Sequence, residues 1–223
     1  MSNIKSIILL SGGLDSLVAL GAFKEEYNIQ LALTFDYGQK SALGEISASK
    51  KICEFYKTEH KIITLDWLKE ITNTSLVSDK EIPTENLGTK ESAESVWVPN
   101  RNGLFLNIAG CYADSSNFTH ILFGANKDEG ETFPDNTEEF REKISEVFKY
   151  STLVKPIVSA PLIKYTKNDI VRLALDKGIP LELVKSCYVS GKKHCGVCES
   201  CRHLKKALKE NNAQKYIEIL FDK

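Results

Sequence analysis

A Gly-Gly turn between an apolar run and a helical pattern is the feature that most constrains the fold of this chain. Residues 6–10 are mostly apolar, residues 11–16 read SGGLDS, and apolar residues then recur with helical spacing over residues 14–26. Backbone N–H groups freed by the glycines and by a helix N-terminus would face one point, which suits a phosphate or a pyrophosphate. In the simpler alternative, Asp15 and Ser16 only cap the helix. The spacing differs from that of the Walker A loop and of the dinucleotide-binding fingerprint.

Short apolar runs alternate with helical patterns through the first half of the chain. The predicted buried strands are residues 6–10, 31–35, 61–65 and 120–123, and the predicted helices are residues 14–26, 43–56 and 103–113. This rhythm predicts an α/β fold with a parallel sheet and helices on both faces. Ligands of such sheets bind beyond the carboxyl ends of the strands. The loops that begin at Ser11, Asp36 and Gly124 are therefore expected to converge on one site.

The second half of the chain has weaker patterns with clear punctuation. Residues 72–96 are polar and lack a period, which predicts either a lid or a mobile loop. A helix is predicted over residues 137–148. Thr166 has the character of an N-cap, with Asp169 three residues further on and Gly178 as the stop signal, so another helix is predicted between them.

Six cysteines in a chain without an export signal indicate reduced thiols rather than disulfides. Four of them are clustered: Cys187, Cys195, Cys198 and Cys201. Four sulfurs with no vacant position predict a structural zinc ion, while an iron–sulfur cluster and a redox-active C-x-x-C pair are the competing interpretations. A terminal helix is predicted over residues 199–208. Cys53 and Cys111 lie on apolar faces of predicted helices and are expected to be small core residues.

The size and charge of the chain set limits on its organisation and partners. Its 223 residues are near the upper limit of one hydrophobic core, so a main domain is expected over residues 1–185, with the zinc-binding element and a C-terminal helix over residues 186–223. A formal net charge of -1 gives no general attraction to nucleic acid or to membranes. The apolar stretch at residues 7–10 is interrupted by Gly12 and Gly13 before it could form a signal peptide or a membrane span, so a cytoplasmic protein is expected.

Several motifs of the chain resemble those of a known superfamily. The SGGLDS loop resembles the SGGxDS loop of the PP-loop ATP pyrophosphatases, which have a Rossmann-like fold of the adenine nucleotide alpha hydrolase type. Within that superfamily the chain resembles the 7-cyano-7-deazaguanine synthase family over nearly its whole length. The matching motifs lie at residues 10–16, 34–39, 98–102, 124–126, 133–135, 186–188 and 195–201.

The resemblance implies an ATP-dependent ligase in queuosine biosynthesis. ATP would adenylate the carboxylate of 7-carboxy-7-deazaguanine, ammonia would displace the activating group to give an amide, and a second activation would dehydrate the amide to the nitrile. Mg²⁺ is expected with ATP because the departing pyrophosphate needs charge neutralisation. The implied partners are these small molecules and, by analogy with the family, a second copy of the chain in a homodimer, with no nucleic acid.

The resemblance also implies roles for particular residues. ATP would be bound by Leu10, Ser11, Gly12, Gly13, Leu14, Asp15, Ser16 and Asp36. The catalytic residues would be Asp15, Ser16 and Arg101, with the planar guanidinium of Arg101 orienting the substrate carboxylate or the α-phosphate. The substrate would contact Gln39, Arg101, Asp128 and Asp135, because a carboxylate accepts well from the N–H groups of a guanine-like edge.

Alternatives remain open for several of these residues. Asp36 is expected near ribose, adenine or metal, and Asp128 and Asp135 are candidates for metal as well as for substrate, each against a solvated loop charge. Gln39 and Glu45 are candidates to line the same cleft, although a position on a helix surface is the simpler expectation for Glu45. Trp67 and Trp97 are candidates to stack on a purine, although an aromatic residue beside apolar residues is more often a core residue.

Two positions depart from the pattern of the family. Lys40 and Ser41 stand where the family pattern has Arg-His, and Thr137 stands where it has Arg. The departures weaken the assignment of substrate-binding residues more than the resemblance itself. Two other functions compete: a PP-loop enzyme that modifies tRNA, and a non-catalytic zinc module that binds protein or nucleic acid.

Overall fold

The computed structural model describes residues 4–85, 87–189 and 191–222. Within these residues, five strands form one parallel sheet in the order β3-β2-β1-β4-β5. The strands are β1 (Ser6–Leu9), β2 (Ile29–Asp36), β3 (Glu59–Thr64), β4 (His120–Leu122) and β5 (Ile157–Ser159). The central strand β1 pairs Ile7 with Leu31 on one side and with Ile121 on the other. All five strands therefore end at the same edge of the sheet.

Helices connect the strands and follow the last of them. Those in the described ranges are α1 (Leu14–Tyr27), α2 (Ala42–Tyr56), α3 (Asp66–Glu70), α4 (Lys90–Ser95), α5 (Arg101–Ser116), α6 (Lys127–Gly130), α7 (Glu138–Ser151), α8 (Lys167–Asp176), α9 (Glu199–Glu210) and α10 (Gln214–Leu220). Short 3₁₀ turns stand at Pro134–Asn136 and Leu181–Leu183.

Side chains of the central strand alternate between two apolar cores. Ile8 and Leu10 pack with residues of α1, α8, α9 and α10, whereas Ile7 and Leu9 pack with residues of α5 and α7. Burial on both faces explains why the strand is a continuous apolar run, because a parallel sheet is covered by helices on each side. The predicted α/β architecture is confirmed.

The predicted elements lie where the structure has them, within a few residues at each end. The strand β5, which has three residues, is absent from the predicted strands. The predicted cap of α8 is present: the Thr166 hydroxyl accepts from the Asp169 N–H at 3.2 Å, and the Asp169 carboxylate accepts from the Thr166 N–H at 3.1 Å. Gly178 adopts a φ of +63° just after the helix, as its predicted role as a stop signal requires.

The polar segment of residues 72–96 is partly regular. It contains the short helix α4 and buries Leu76, Val77 and Val96 in the core on the α5 face of the sheet. Apolar anchors that are spaced irregularly carry no helical or strand period, so the sequence pattern does not show them.

The cysteine-containing end of the chain shares its core with the sheet. Cys187, Cys198 and Cys201 belong to the same buried cluster as Leu17 of α1. The division of the chain at residue 186 stays a prediction. Cys53 is buried as expected, but Cys111 is exposed, so its predicted core position is wrong.

Among the described residues, no helix combines the length and the apolar character that crossing a membrane requires.

Candidate functional site

A cavity of about 290 Å³ opens at the carboxyl ends of the strands. The loops after β1 and β4, the start of α5, the start of α8 and the segment around Tyr188 contribute to its wall. Ser11 and Gly124 line it, as predicted for their loops. Asp36 does not line it, although its neighbour Tyr37 does. The loop after β2 thus reaches the cavity through a side chain other than the predicted one.

The loop after β1 makes a tight turn against α2. Gly12 has a φ of +77°, and a Cβ atom built there would lie 2.9 Å from the Cβ of Ala48. Only glycine fits at this position without displacing α2. The Gly13 N–H donates to the Ser11 hydroxyl at 3.3 Å, and the Leu14 N–H donates to the Ser186 hydroxyl at 3.3 Å. These hydroxyls occupy the amides that a phosphate would approach.

The chain around residue 185 supports this loop from the other side. The Lys185 N–H donates to the Gly12 carbonyl at 2.8 Å, and its ammonium group donates to the Gly191 carbonyl at 3.0 Å. Lys185 is buried and lines the cavity. The wall of the cavity beside the loop after β1 therefore contains a buried lysine.

A largely buried charge cluster stands beside the phosphate loop. The Lys167 ammonium donates to Asp15 at 2.5 Å and to Glu129 at 2.7 Å. The other carboxylate oxygen of Asp15, Oδ1, is buried and has no hydrogen-bond partner among the described residues. One cation thus faces two carboxylates, and one carboxylate oxygen is unused.

Burial and neighbouring charges shift the pKa values of this cluster. Burial raises the pKa of Asp15 to about 6, against the opposing effect of Lys167. Burial alone would also raise the pKa of Glu129, but Lys167 outweighs it and the pKa of Glu129 is lowered. Burial alone would lower the pKa of Lys167, but the two carboxylates raise it overall. Lys167 and Glu129 are therefore charged at neutral pH, and Asp15 is the member of the cluster closest to titration.

Arg101 is the first residue of α5 and lines the same cavity. Its hydrogen bond to the described part of the chain is a long one of 3.3 Å, from Nη1 to the Tyr37 hydroxyl. Burial lowers its pKa, but Tyr37, Asp135 and Glu45 outweigh burial and hold the pKa above its ordinary value. The guanidinium is thus charged, and most of its donors are available to a ligand.

Asp135 stands opposite Arg101 in the turn before α7. Its Oδ2 accepts from the Asn102 N–H at 3.3 Å, and its Oδ1 accepts from the Asn136 amide at 3.0 Å. Burial raises its pKa, against the opposing charge of Arg101. The carboxylate is fixed by amides on both oxygens and lines the cavity.

Gln39 and Glu45 form a hydrogen-bonded pair that supports the loop after β2. The Gln39 amide donates to the Phe35 carbonyl at 3.0 Å and to Glu45 at 2.9 Å, and the Ser41 hydroxyl donates to Glu45 at 2.5 Å. Gln39 is buried and does not line the cavity, whereas Glu45 does. Of the two alternatives for Glu45, the structure favours the cleft over a helix surface, because α2 begins at the cavity. Burial raises the pKa of Glu45.

Asp36 and Asp128 make local backbone contacts. The Asp36 carboxylate accepts from the Gly38 N–H at 3.1 Å, which closes the turn after β2. Asp128 lines the cavity and accepts from the Lys167 N–H at 2.8 Å at the start of α8. This contact joins the loop after β4 to the helix that supplies Lys167.

The two tryptophans differ in their surroundings. Neither lies in the core, although a core position was the simpler expectation for both. Trp67 is 48% exposed, whereas Trp97 is half-buried and lines the cavity. Trp97 stacks on Phe133 with ring centroids 5.7 Å apart and an interplanar angle of 15°. Both rings therefore form part of the cavity wall.

The four clustered thiols converge on one point. The Sγ atoms of Cys187, Cys195, Cys198 and Cys201 all lie within 4.8 Å of one another. The Sγ atoms of Cys195 and Cys201 are 3.8 Å apart, and the N–H groups of Val189 and Cys195 donate to the sulfur of Cys187, each at 3.4 Å. A single ion with Zn–S bonds of about 2.3 Å would hold tetrahedral sulfurs at this spacing.

The polar segment of residues 72–96 reaches the cysteine element across the cavity. Leu76 and Val96 line the cavity. The Gly88 N–H donates to Glu199 at 3.1 Å, and the Arg202 guanidinium donates to the Thr84 carbonyl at 2.6 Å. The segment is therefore attached both to the sheet and to the start of α9.

Several cavity residues were not predicted from the sequence: Glu129, Lys167, Lys185, Ser186 and Tyr188. One of them does carry a signal. Lys167 is the first residue of a helix whose cap was predicted, and a cation is unfavourable at a helix N-terminus. A lysine there indicates carboxylates nearby that compensate for the helix dipole.

The residues that depart from the family pattern have local roles. Thr137 caps α7 by accepting from the Phe140 N–H at 3.2 Å. Ser41 is tied to Glu45, as described above, and the Lys40 N–H donates to the Leu76 carbonyl at 2.8 Å.

Comparison with known proteins identifies relatives over nearly the whole chain. The family model described as "Queuosine biosynthesis protein QueC" matches residues 5–212. A 7-cyano-7-deazaguanine synthase from Methanosarcina barkeri is 46% identical over 92% of this chain and 94% of its own length. A 7-cyano-7-deazaguanine synthase from Carboxydothermus hydrogenoformans is 47% identical over 91% of this chain and 97% of its own length.

Solved structures show the same fold at low sequence identity. The U34-tRNA thiolase NcsA from Methanococcus maripaludis, solved with its [4Fe-4S] cluster, has a TM-score of 0.53 and 19% identity over 98% of this chain and 70% of its own. A 4-thiouridine synthetase, solved in complex with RNA and ATP, has a TM-score of 0.51 and 20% identity over 96% of this chain and 52% of its own. At these identities the likeness concerns the fold alone.

Proposed function

The chain belongs to the QueC family of queuosine biosynthesis proteins, and on that premise we propose that it is an ATP-dependent ligase that converts 7-carboxy-7-deazaguanine and ammonia into 7-cyano-7-deazaguanine. The observation that carries the proposal is one cavity that joins the SGGLDS loop to a half-buried, sparsely bonded arginine, Arg101. The loop suits a nucleotide, and the arginine suits a carboxylate. The two halves of an adenylation reaction thus have binding groups in the same space.

The first step activates the substrate carboxylate. A carboxylate oxygen attacks the α-phosphorus of ATP, and the bond to the β-phosphate breaks to release pyrophosphate. The Arg101 guanidinium orients the carboxylate, and the N–H groups around Ser11, Gly13 and Ser16 receive the pyrophosphate. Adenylation is needed because a carboxylate oxygen is a poor leaving group.

Ammonia then attacks the activated carbon, and AMP leaves with the former carboxylate oxygen to give the amide. The amide oxygen attacks the α-phosphorus of a second ATP and releases pyrophosphate. Loss of AMP and of two N–H protons converts the activated amide to the nitrile. Asp15, with a pKa of about 6, is an acid of the cavity whose protonation changes near neutral pH. We propose substrate contacts for Asp128 and Asp135, a nucleotide contact for Asp36, and an indirect role for Gln39 through Glu45.

The residues beside the phosphate loop fit a divalent cation. The unpartnered Asp15 Oδ1 and the carboxylate of Glu129 are hard oxygen ligands of the kind that Mg²⁺ prefers. We propose that Asp15 and Glu129 hold Mg²⁺ with ATP. When bound, Mg²⁺ supplies charge neutralisation to the triphosphate and the departing pyrophosphate.

The four thiols fit a structural zinc ion. Their mutual distances suit one tetrahedral ion, whereas a four-iron cluster places its thiolates on four separate iron atoms and needs a wider spread of sulfurs. We propose that zinc fixes residues 187–201, which include cavity residues Tyr188, Glu199 and Ser200.

We also propose a cytoplasmic homodimer. Tyr150, Leu153 and Ile157 are 85%, 91% and 50% exposed around the edge strand β5, and exposed apolar groups of this kind are candidates for an interface. Sedimentation equilibrium of the native protein and of Leu153→Glu tests the dimer.

The proposed reaction is tested by incubating the zinc-loaded protein with 7-carboxy-7-deazaguanine, MgATP and ¹⁵N-ammonium. Mass spectrometry should show the amide first and then a nitrile that carries one ¹⁵N atom, with AMP and pyrophosphate released. Asp15→Asn should lower turnover by about 100-fold or more, since a ligand of the triphosphate metal is lost. Asp176→Asn, which changes an exposed carboxylate of α8, should leave turnover unchanged.

Other outcomes would redirect the proposal. Amide that accumulates without nitrile would retain the ligase but remove the second activation. Consumption of neither substrate, together with salt-sensitive binding of tRNA in a titration, would contradict the proposed reaction and favour an enzyme that modifies tRNA.

A further inference from the structure

The stacked pair of Trp97 and Phe133 has no role in the chemistry described above. We propose that this pair is the wall on which the planar deazapurine ring of the substrate stacks, and that it determines specificity for a bicyclic acceptor. The inference rests on the proposed function, because it names the site for the acceptor of that reaction.

The geometry of the pair distinguishes it from core packing. The two rings are nearly parallel, at 15°, and both line the cavity while remaining half-buried. Phe35 and Phe105 also stack, at 4.0 Å, and also line the cavity, but they are only 5% and 8% exposed and leave little ring surface for a ligand. An aromatic pair with surface left in a cavity is available for a further ring to stack on, in the offset geometry that aromatic groups prefer.

The pair is attached to the groups proposed to bind the acceptor. Trp97 lies four residues before Arg101, and Phe133 lies two residues before Asp135. Arg101 suits the carboxylate of the acceptor, and Asp135 suits its N–H edge. Rings between a carboxylate-binding group and an edge-binding group are placed to contact the flat face of the same ligand.

The position in the sheet favours the acceptor over adenine. Phe133 follows β4, whereas the proposed nucleotide contact Asp36 ends β2, and these strands lie on opposite sides of β1. The phosphate loop after β1 lies between them. A nucleotide extending toward β2 leaves the β4 side of the cavity to the second substrate.

The chemistry of the ring adds a reason for stacking. A 7-deazapurine has carbon where guanine has nitrogen N7, so the ring atom at that position accepts no hydrogen bond. The exocyclic oxygens, the polar edge of the ring and its flat face remain for recognition. Base stacking on aromatic side chains is strong enough to supply this recognition.

The chain contains two tryptophans, and this permits a direct test by fluorescence. In Trp67→Phe the remaining tryptophan is Trp97, and titration with 7-carboxy-7-deazaguanine should change its emission with saturation, while ATP alone should not. Trp97→Phe is the matched control, because its signal comes from the exposed Trp67 and reveals absorption by the ligand itself.

Kinetics provide the second measurement. Trp97→Leu and Phe133→Leu should each raise the KM for 7-carboxy-7-deazaguanine by about tenfold or more, with the KM for ATP changed by less than about twofold. Trp97→Phe should restore most of the lost affinity because it retains a stacking ring. Trp67→Leu should leave both KM values unchanged.

The outcomes separate this inference from the proposed function. If the native protein makes the nitrile but ATP rather than the deazapurine alters Trp97 emission, the pair belongs to adenine and the inference is overturned. The inference is likewise overturned, while the reaction stands, if nitrile forms but neither ligand alters the Trp97 emission and neither Trp97→Leu nor Phe133→Leu alters the KM values. If the native protein consumes no deazapurine, both fail together.

Discussion

The phosphate-loop charge cluster and the cysteine cluster both collect ligand-type side chains at one point, but they do so in opposite ways. The cysteines come from 15 consecutive residues and their four sulfurs face inward within 4.8 Å. The charge cluster brings Asp15, Glu129 and Lys167 together from three separate parts of the chain. It also leaves a buried oxygen of Asp15 without a hydrogen-bond partner in the described structure.

The difference teaches what each cluster is suited to do. A closed set of four sulfurs suits an ion that remains in place and holds the chain. A cluster with two carboxylates, one ammonium and an unused oxygen suits a cation that arrives and leaves with a nucleotide. Whether a cluster suits a permanent ion or an exchanging ion can thus be inferred from whether all of its donor and acceptor atoms have partners.

The largest effect is expected from opening the closed cluster. Cys201→Ser should lower the free energy of unfolding by about 5 kcal/mol, since a structural zinc site contributes folding free energy directly. Urea denaturation, with metal content measured in parallel, tests this. Cys111→Ser changes an exposed thiol outside the cluster and should leave stability unchanged. Equal stability of Cys201→Ser and the native protein would remove the distinction between the two clusters.

Removal of the cation from the open cluster should have the next largest effect. Lys167→Met leaves Asp15 and Glu129 facing each other without a counter-charge, and should lower the free energy of unfolding by about 3 kcal/mol at pH 7.5. The double variant Lys167→Met/Asp15→Asn should recover part of the loss. Lys177→Met, an exposed lysine at the other end of α8, serves as the control. Additive losses in the double variant would show that the three charges do not act together.

The pH dependence of stability should sharpen the contrast. The pKa of Asp15 is raised from 3.8 to about 6 by burial, so the folded protein retains a proton that the unfolded chain releases at lower pH. The free energy of unfolding should therefore fall as pH rises from about 4 to about 6, by up to about 2 kcal/mol from this group. Asp15→Asn should flatten the profile in this window relative to Asp176→Asn. Saturating Mg²⁺ should flatten it in the native protein, because the cation competes with the proton.

The smallest effect is expected where the segment of residues 72–96 meets the cysteine element. Arg202→Ala removes the 2.6 Å hydrogen bond to the Thr84 carbonyl and should cost less than about 1 kcal/mol, because the arginine is exposed. Hydrogen exchange of residues 87–95 should become a few-fold faster. Lys206→Ala on the same helix should not change it. Slower or unchanged exchange in Arg202→Ala would show that this hydrogen bond does not couple residues 87–95 to the cysteine element.

The sequence predicts those features whose parts are close together in the chain. The SGGLDS turn, the Thr166–Asp169 capping box and the four-cysteine cluster each lie within a short segment, and each was located correctly. Local backbone geometry and short ligand spacings restrict what such segments can do. The parallel sheet follows in the same manner, because each short apolar run must be buried on both faces, whereas the order of the strands was not predicted.

The remainder depends on contacts between distant residues. Lys167 reaches Asp15 across 152 positions, and Ser186 reaches Leu14 across 172. Trp97 and Phe133 meet because the cavity brings two loops together, and no period in the sequence relates them. The exposure of Cys111 and the cavity position of Glu45 could not be predicted for the same reason. A helical face can be assigned to core or cavity only when its neighbours are known.

The core shared by the first helix and the last three has a consequence for synthesis on the ribosome. The apolar side of α1 shares its core with β1, β2 and α2 and also with residues of α8, α9 and α10, which are translated much later. At ordinary elongation rates the delay between Leu20 and Leu208 is on the order of 10 to 40 seconds. During that interval the nascent chain can form β1, β2, β3 and α2, but the part of α1 that faces α8, α9 and α10 stays uncovered. We expect this apolar face to remain exposed on the nascent chain until α9 and α10 have emerged from the ribosome.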